Sequence, residues 1–396
     1  MKTCPMYAAF PAVLFLLLGC EYDGPKALYD ESRPETVKPM ITQMTPAEGM
    51  AGVQYLTLTG ENFSGNPANN LVYIDGYQCE ITANSQTSIT VRRPDRYGDS
   101  CQVKIVNTET IEFGIFEPYR IEQAYASIGG FPQTTELLAM TVDRDENVYV
   151  FQKTPRTMYK VSPDGSKTEL GTSSKAVTDA VPGPNGKIIL LMNHANIQAM
   201  NPSDGSEELW VTVTNKKVQY GDFDANGCFY AGGSNTDLIV VKPDLSFAAS
   251  GQYPKANINA IRVFDGNLYI LAEDLTANAD PRIAIWKHAI LDAAGTLGEK
   301  TVFLDPALTG AYADSVFHDI EFSAAGGLFV GTANLQPVLR VAPDLSSELY
   351  YKNLLPSAAR QLVWGNGDFL YLLRAGGKWD LIRIDTGEPG APHHGR

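Results

Sequence analysis

One short pattern returns six times between Leu137 and Ile384, and it restricts the chain to a ring of small sheets. Each return is a strand of alternating apolar residues, a turn built from Gly, Asp or Asn, and a second strand centred on an aromatic or aliphatic residue. Met140-Thr141-Val142 is followed by Val148-Tyr149-Val150, and Ala180-Val181-Pro182 by Ile188-Ile189-Leu190. Gly221-Asp222-Phe223 leads to Cys228-Phe229-Tyr230, and Ile261-Arg262-Val263 to Leu268-Tyr269-Ile270. Ile320-Glu321-Phe322 leads to Leu328-Phe329-Val330, and Leu362-Val363-Trp364 to Leu370-Tyr371-Leu372. The interval of roughly 40 to 60 residues fits propeller blades rather than helical solenoids. No comparable stretch carries the i, i+3, i+4, i+7 spacing of a helix. The pattern predicts a six-bladed β-propeller.

A third strand repeats as well, followed by a Pro-Asp turn: Tyr159-Lys160-Val161 before Pro163-Asp164-Gly165, and Ile239-Val240-Val241 before Pro243-Asp244. Proline fixes φ, and Asp or Gly satisfies the bend into an outermost strand. This signature resembles NHL-type and gluconolactonase-type propellers, a resemblance that bears on fold more than on activity. The last repeat offers three strands where a blade needs four. A strand near Ile121 to Ser127 is expected to supply the fourth and tie the two ends of the ring together.

The stretch before the propeller divides in three. Tyr7 to Leu18 is an apolar run too short for a membrane span, and it ends in Leu17-Leu18-Gly19-Cys20. That ending resembles the bacterial lipobox, which implies a signal peptide over residues 1–19 and a lipidated Cys20. Residues 20–38 read as a tether, and their acidic start resembles outer-membrane lipoproteins of the Bacteroidetes type. The expected place is therefore the outer membrane, lipid-anchored, on the cell surface or the periplasmic face. From residue 39 short alternating strands suggest a β-sandwich. Pro46 and Gly49, then Leu58-Thr59-Gly60-Glu61-Asn62-Phe63, Tyr73-Ile74-Asp75-Gly76 and Ile89-Thr90-Val91 resemble the IPT/TIG immunoglobulin-like domain. The expected fold class is all-β: an immunoglobulin-like β-sandwich over 39–110, then a six-bladed β-propeller over 120–386. Residues 387–396 are expected to be a frayed tail, with His393 and His394 in solvent. In an exported chain Cys79 and Cys101 are expected to form a disulfide, two buried thiols being the alternative. Cys228 reads as a small core residue.

Propeller ligands meet the loops that lead into the innermost strands. Asp179, Tyr220, Asn259, His318, Asp319 and Arg360 are the candidate binding mouth, with solvated loops as the competing explanation. Asp222, Arg262 and Glu321 hold matching positions on three successive blades and are expected to form an ion network lining the channel. A net charge of −14 argues against nucleic acid as a partner. The favoured function is a non-enzymatic lipoprotein whose propeller binds a glycan or an envelope protein, with the sandwich as spacer and no cofactor. The alternatives are a structural envelope component and a lactonase. The gluconolactonase resemblance would give the latter a divalent metal on Glu136, Asn259 and Asp319. No catalytic nucleophile set or phosphate loop stands out. Tyr220, Tyr312, Trp364 and Trp379 would stack on sugars where exposed, although half or more of them read as blade core.

Overall fold

The computed structural model describes residues 37–308, 310 and 315–395. The signal peptide, Cys20, most of the tether and Tyr312 lie outside the described residues. Two four-stranded antiparallel sheets form the first module. One runs Met40–Thr45, Tyr55–Glu61, Ser88–Arg92, Ile81–Asn84 in spatial order; the other runs Tyr77–Gln78, Asn70–Ile74, Gly98–Asn107, Phe113–Ile121. The period of two is visible in burial: Leu56, Leu58, Ile89, Val91, Val72, Ile74, Val103 and Ile105 are all closed between the sheets. Phe63 plugs that core. Gly60 is demanded by a close approach of two strands. It lies inside a strand, where a Cβ would come within 1.9 Å of the Met40 carbonyl oxygen.

The sandwich extends further than its sequence pattern indicates. Phe113–Ile121 pairs with Gly98–Asn107 and belongs to the sandwich, beyond the expected end at residue 110. Tyr119 and Ile121 are buried in its core, and the Tyr119 hydroxyl donates to the Pro46 carbonyl at 3.0 Å. Two charged residues and Pro118 mask that alternation in the sequence.

The expected disulfide is absent: Cys79 and Cys101 are both buried free thiols. Cys79 N–H donates to the Val72 carbonyl, and Val72 pairs with Ile105, four residues along the strand from Cys101. The two cysteines flank the Asn70–Ile74 strand on opposite sides. They stand roughly 13 Å apart along the sheet and about two strand spacings across it. A disulfide needs Cα atoms within about 7 Å.

Six four-stranded sheets form the propeller. Their innermost strands are Leu137–Val142, Asp179–Pro182, Tyr220–Phe223, Ala256–Phe264, Phe317–Phe322 and Ala359–Trp364, defining blades one to six. Tyr125–Ile128 is the outermost strand of blade six, pairing Ile128 with Leu381 and Tyr125 with Ile384, so the ring is closed by the start of its own chain. The Pro-Asp turns share one device: Asp164, Asp204, Asp244 and Asp344 each accept the backbone N–H of the serine two residues on, at 2.9 Å. Aromatic groups such as Phe264–Phe322–Tyr269 and Phe329–Trp364 fill the wedges between blades. Each fully buried side chain of this kind contributes about 1.5–3 kcal/mol.

The sandwich docks against the junction of blades five and six. The Tyr351 hydroxyl accepts from Gly52 N–H and donates to the Asp385 carbonyl, and the Gln54 amide bridges Tyr351 N–H and Glu348. Lys352 pairs with Glu80 at 2.9 Å. Beside this contact begins the tail, and it is not frayed. Pro389 to Gly395 returns along the far end of the ring: Ala324 N–H donates to Pro389 O, Ala391 N–H to Phe322 O, and Gly390 lies on Trp364. His393 is thereby buried, contrary to the solvated position its sequence context implies.

Candidate binding site in the propeller channel

Closing six blades into a ring leaves the inner edge of every innermost strand without a neighbouring strand. Its N–H groups still require partners. Four blades solve this in the same way. Asp179 accepts from Gly221 N–H at 3.1 Å, Asp222 from Val263 N–H at 2.8 Å, Asp319 from Leu362 N–H at 2.8 Å, and Gln361 Oε1 from Met140 N–H at 2.7 Å. In each case the donor sits one position further along the innermost strand of the next blade. The three carboxylates also accept the N–H of their own following residue. Much of the acidic character of the axis therefore serves the ring itself.

Three positions beyond the mouth, Arg262 lies between two carboxylates. Its Nη1 is 2.8 Å from Asp222 Oδ2 and its Nε 2.8 Å from Glu321 Oε2, with all three side chains at most 4 % exposed. Nη2 donates to the carbonyls of Ala391 and Pro392, so the tail completes the guanidinium's partners. His393 Nε2 stands 3.2 Å from Glu321 Oε1 without the alignment of a hydrogen bond, and the tail thus floors the channel. Burial pushes Asp222 and Glu321 upward, but the Arg262 charge and His393 outweigh it and hold both below the usual carboxylate range. Asp179 and Asp319 have no such cation. Burial raises Asp179 to about 7 and Asp319 well above its ordinary value, against the pull of their backbone donors.

Above this floor lies a cavity of about 240 Å³. All six predicted mouth residues line it: Asp179, Tyr220, Asn259, His318, Asp319 and Arg360, together with Asp222, Arg262 and Glu321. The local cause is a β-bulge. In blades one, four, five and six the pairing slips at Leu138, Asn259, His318 and Arg360, the residue just before the innermost strand settles into register. Such a slip turns one extra side chain toward the axis. The His318 Nδ1 lies 2.7 Å from the Ala359 carbonyl, so the proton sits there and Nε2 is an acceptor when the ring is neutral. Arg360 Nε donates to Leu138 O at 2.7 Å, leaving Nη1 and Nη2 without a partner among the described residues. The Asn259 amide and the Tyr220 hydroxyl likewise have none.

Three contributors escape the sequence pattern. Thr141 aligns with Asp222, Arg262 and Glu321 once the bulges are counted, and superposing the repeats would have found it. Its hydroxyl lines the cavity, buried and unbonded. Gln361 donates to Asp179 Oδ1 at 2.9 Å in addition to its latch. His393 follows no repeat and carries no sequence signal.

The metal set Glu136, Asn259 and Asp319 is not assembled. Glu136 lies outside the cavity and pairs with Lys153 at 2.9 Å, because it precedes the bulge and faces away from the axis. Both Asp319 oxygens already accept backbone donors. Among the described residues no three His, Cys, Asp or Glu side chains cluster as metal ligands. Of the aromatic candidates, Trp364 is wholly buried and Trp379 packs on the blade one–six core, which leaves Tyr220 at the cavity.

The IPT/TIG domain family matches residues 39–119. No curated protein matches the chain. Among solved structures, a protein of unknown function from Bacteroides thetaiotaomicron is 10% identical, with 90% of this chain and 99% of that chain covered and a TM-score of 0.50. An auxiliary nutrient binding protein from the same organism is 10% identical over 88% of this chain and 97% of that one, TM-score 0.52. A gluconolactonase from Xanthomonas campestris is 12% identical over 81% and 98%, TM-score 0.51. Identities this low establish fold alone. The chain is an all-β protein in which an IPT/TIG immunoglobulin-like sandwich precedes a six-bladed β-propeller.

Proposed function

We propose that this chain is a lipoprotein of the outer membrane, anchored through Cys20, whose propeller head binds a small polar ligand at the mouth of its floored channel. The sandwich, fixed to blades five and six, acts as the spacer. The observation that carries the reading is the set of polar groups that the bulges and neighbouring strands gather around one cavity with no partner among the described residues. Asn259, Tyr220, Thr141 and the free edges of His318 and Arg360 are bonded neither to backbone nor to one another. A glycan end suits such a mixed donor and acceptor lining. The likeness to an auxiliary nutrient binding protein agrees with it.

The lactonase alternative loses its metal site with Glu136. Thermal stability of the purified chain against a panel of glycans, lactones and divalent metals tests the reading. A ligand at a hundred times its Kd raises stability by about 2.7 kcal/mol. A shift with sugars that disappears in Asn259→Ala supports binding at the mouth, whereas a shift with metal alone would favour the lactonase. Silence across the panel would favour a structural or protein-binding role. Cys20→Ala should release the chain from the membrane fraction, and unchanged retention would refute the anchor.

A further inference from the structure

The mouth carries one charge that the fold does not use. Arg360 is half-buried, its Nε is fixed on Leu138 O, and among the described residues no carboxylate lies within salt-bridge reach of its guanidinium. The other buried cation of the axis, Arg262, is held by Asp222, Glu321 and two tail carbonyls. Arg360 thus presents the open side of a fork whose geometry matches two oxygens of a planar anion. Deeper in the same cavity the Thr141 hydroxyl, 1 % exposed, has no partner among the described residues. A buried hydroxyl left unpaired is costly, and a ligand oxygen would satisfy it.

We infer, resting on the binding reading above, that the ligand is a monosaccharide-sized hydroxylated ring bearing one carboxylate, with the carboxylate on the free edge of Arg360 and a hydroxyl reaching Thr141. Size supports the first part: about 240 Å³ falls below the roughly 300–1,000 Å³ of sites for drug-sized ligands. Chemistry supports the second. Tyr220 and Thr141 offer hydroxyls, Asn259 an amide, and His318 Nε2 an acceptor, a set that pairs with sugar hydroxyls because each of these both donates and accepts. Charge decides against phosphate. One unpaired guanidinium matches one negative charge, and a dianion would stand in the same cavity as Asp179, Asp319, Asp222 and Glu321 with half its charge unmatched.

Calorimetric titration of the purified full chain with glucuronate, glucose and inorganic phosphate tests this. Glucuronate should bind at least tenfold more tightly than glucose, and phosphate at equal concentration should not displace it. Arg360→Gln should bring the glucuronate-to-glucose ratio close to one. Thr141→Val, nearly isosteric, should weaken both sugars and leave their ratio unchanged. Glucose binding as well as glucuronate, or a ratio unaffected by Arg360→Gln, would overturn the carboxylate assignment while the binding reading stands. Displacement by phosphate would show an unselective anion site and overturn it as well. Absence of binding by either sugar would overturn both.

Discussion

Removing the Arg262 charge is the sharpest test of the buried axis. In Arg262→Leu, Asp222 and Glu321 remain at most 4 % exposed and lose the cation that opposes their burial. Breaking a buried pair from one side costs about 3–5 kcal/mol, and the tail loses a donor to two carbonyls as well. The sign depends on pH. In the native chain both carboxylates are held low, so their contribution is present above the unfolded carboxylate range and is lost as pH falls through their folded values. In the variant burial is opposed only by His393 and the backbone donors, and both groups rise from their native values. The penalty should be largest near pH 7.5 and shrink toward pH 4.5, where the two groups take up protons instead of standing charged. All four tryptophans, Trp210, Trp286, Trp364 and Trp379, lie in the propeller, so fluorescence melts report on that module. For a domain of this size about 1 kcal/mol moves Tm by roughly 2–4 °C, so a drop of about 6–20 °C is expected at pH 7.5. A drop that is the same at both pH values, or smaller than about 2 °C at both, would refute a buried charge network as the cause.

The remaining expectations concern single groups. Under denaturing, non-reducing conditions Cys79, Cys101 and Cys228 should all label with a thiol reagent, whereas natively they should react slowly, since burial raises them to about 12, 11 and 11; a missing pair of thiols would restore the disulfide. Asp179 is raised to about 7, so its stabilising proton is fully present below the unfolded value of 3.8 and is lost as pH rises through about 7. Asp179→Asn should remove a slope of about 1.4 kcal/mol per pH unit within that window, and parallel Tm profiles for the two proteins would show that the buried group is charged throughout. Ending the chain at Thr386 should lower the propeller Tm and leave Arg262 two acceptors short; an unchanged melt would mean that the tail only rests on the ring.

Legibility followed periodicity. The six repeats display their strands because alternation is a local property, and the same register sets Asp222, Arg262 and Glu321 at one level of the channel. The mouth residues were readable for the same reason, as the positions just ahead of each repeat's apolar triplet. Bulges were not readable, since a slip at Asn259 or His318 depends on the partner strand and leaves no mark in composition. Phe113–Ile121 was obscured by Pro118 and by the exposed Glu117 and Arg120. Cys79 and Cys101 show the limit of proximity in sequence: both belong to one core, but a single intervening strand keeps them apart. His393 lay beyond any pattern, because a tail that threads a ring has no period.

The axis separates into two sets of polar groups, and the division bears directly on function. Asp179, Asp222, Asp319 and Gln361 each close an inner-edge N–H that a six-bladed ring leaves open, and Arg262 pairs with both Asp222 and Glu321. Their polarity would be needed whether or not the protein bound anything. Asn259, Tyr220, Thr141, His318 Nε2 and the outer edge of Arg360 close nothing among the described residues. A channel with a purely structural role would be expected to fill those positions with apolar side chains, as Leu138 does at the equivalent place in blade one and Val181 and Val363 do deeper down. Substitutions in the first set should therefore reduce stability, with affinity affected only through the fold. Substitutions at Asn259 and Thr141, which hold no other element in place, should reduce affinity at unchanged Tm. A melt as damaged by Asn259→Ala as by Arg262→Leu would collapse the distinction, and with it the case for a ligand.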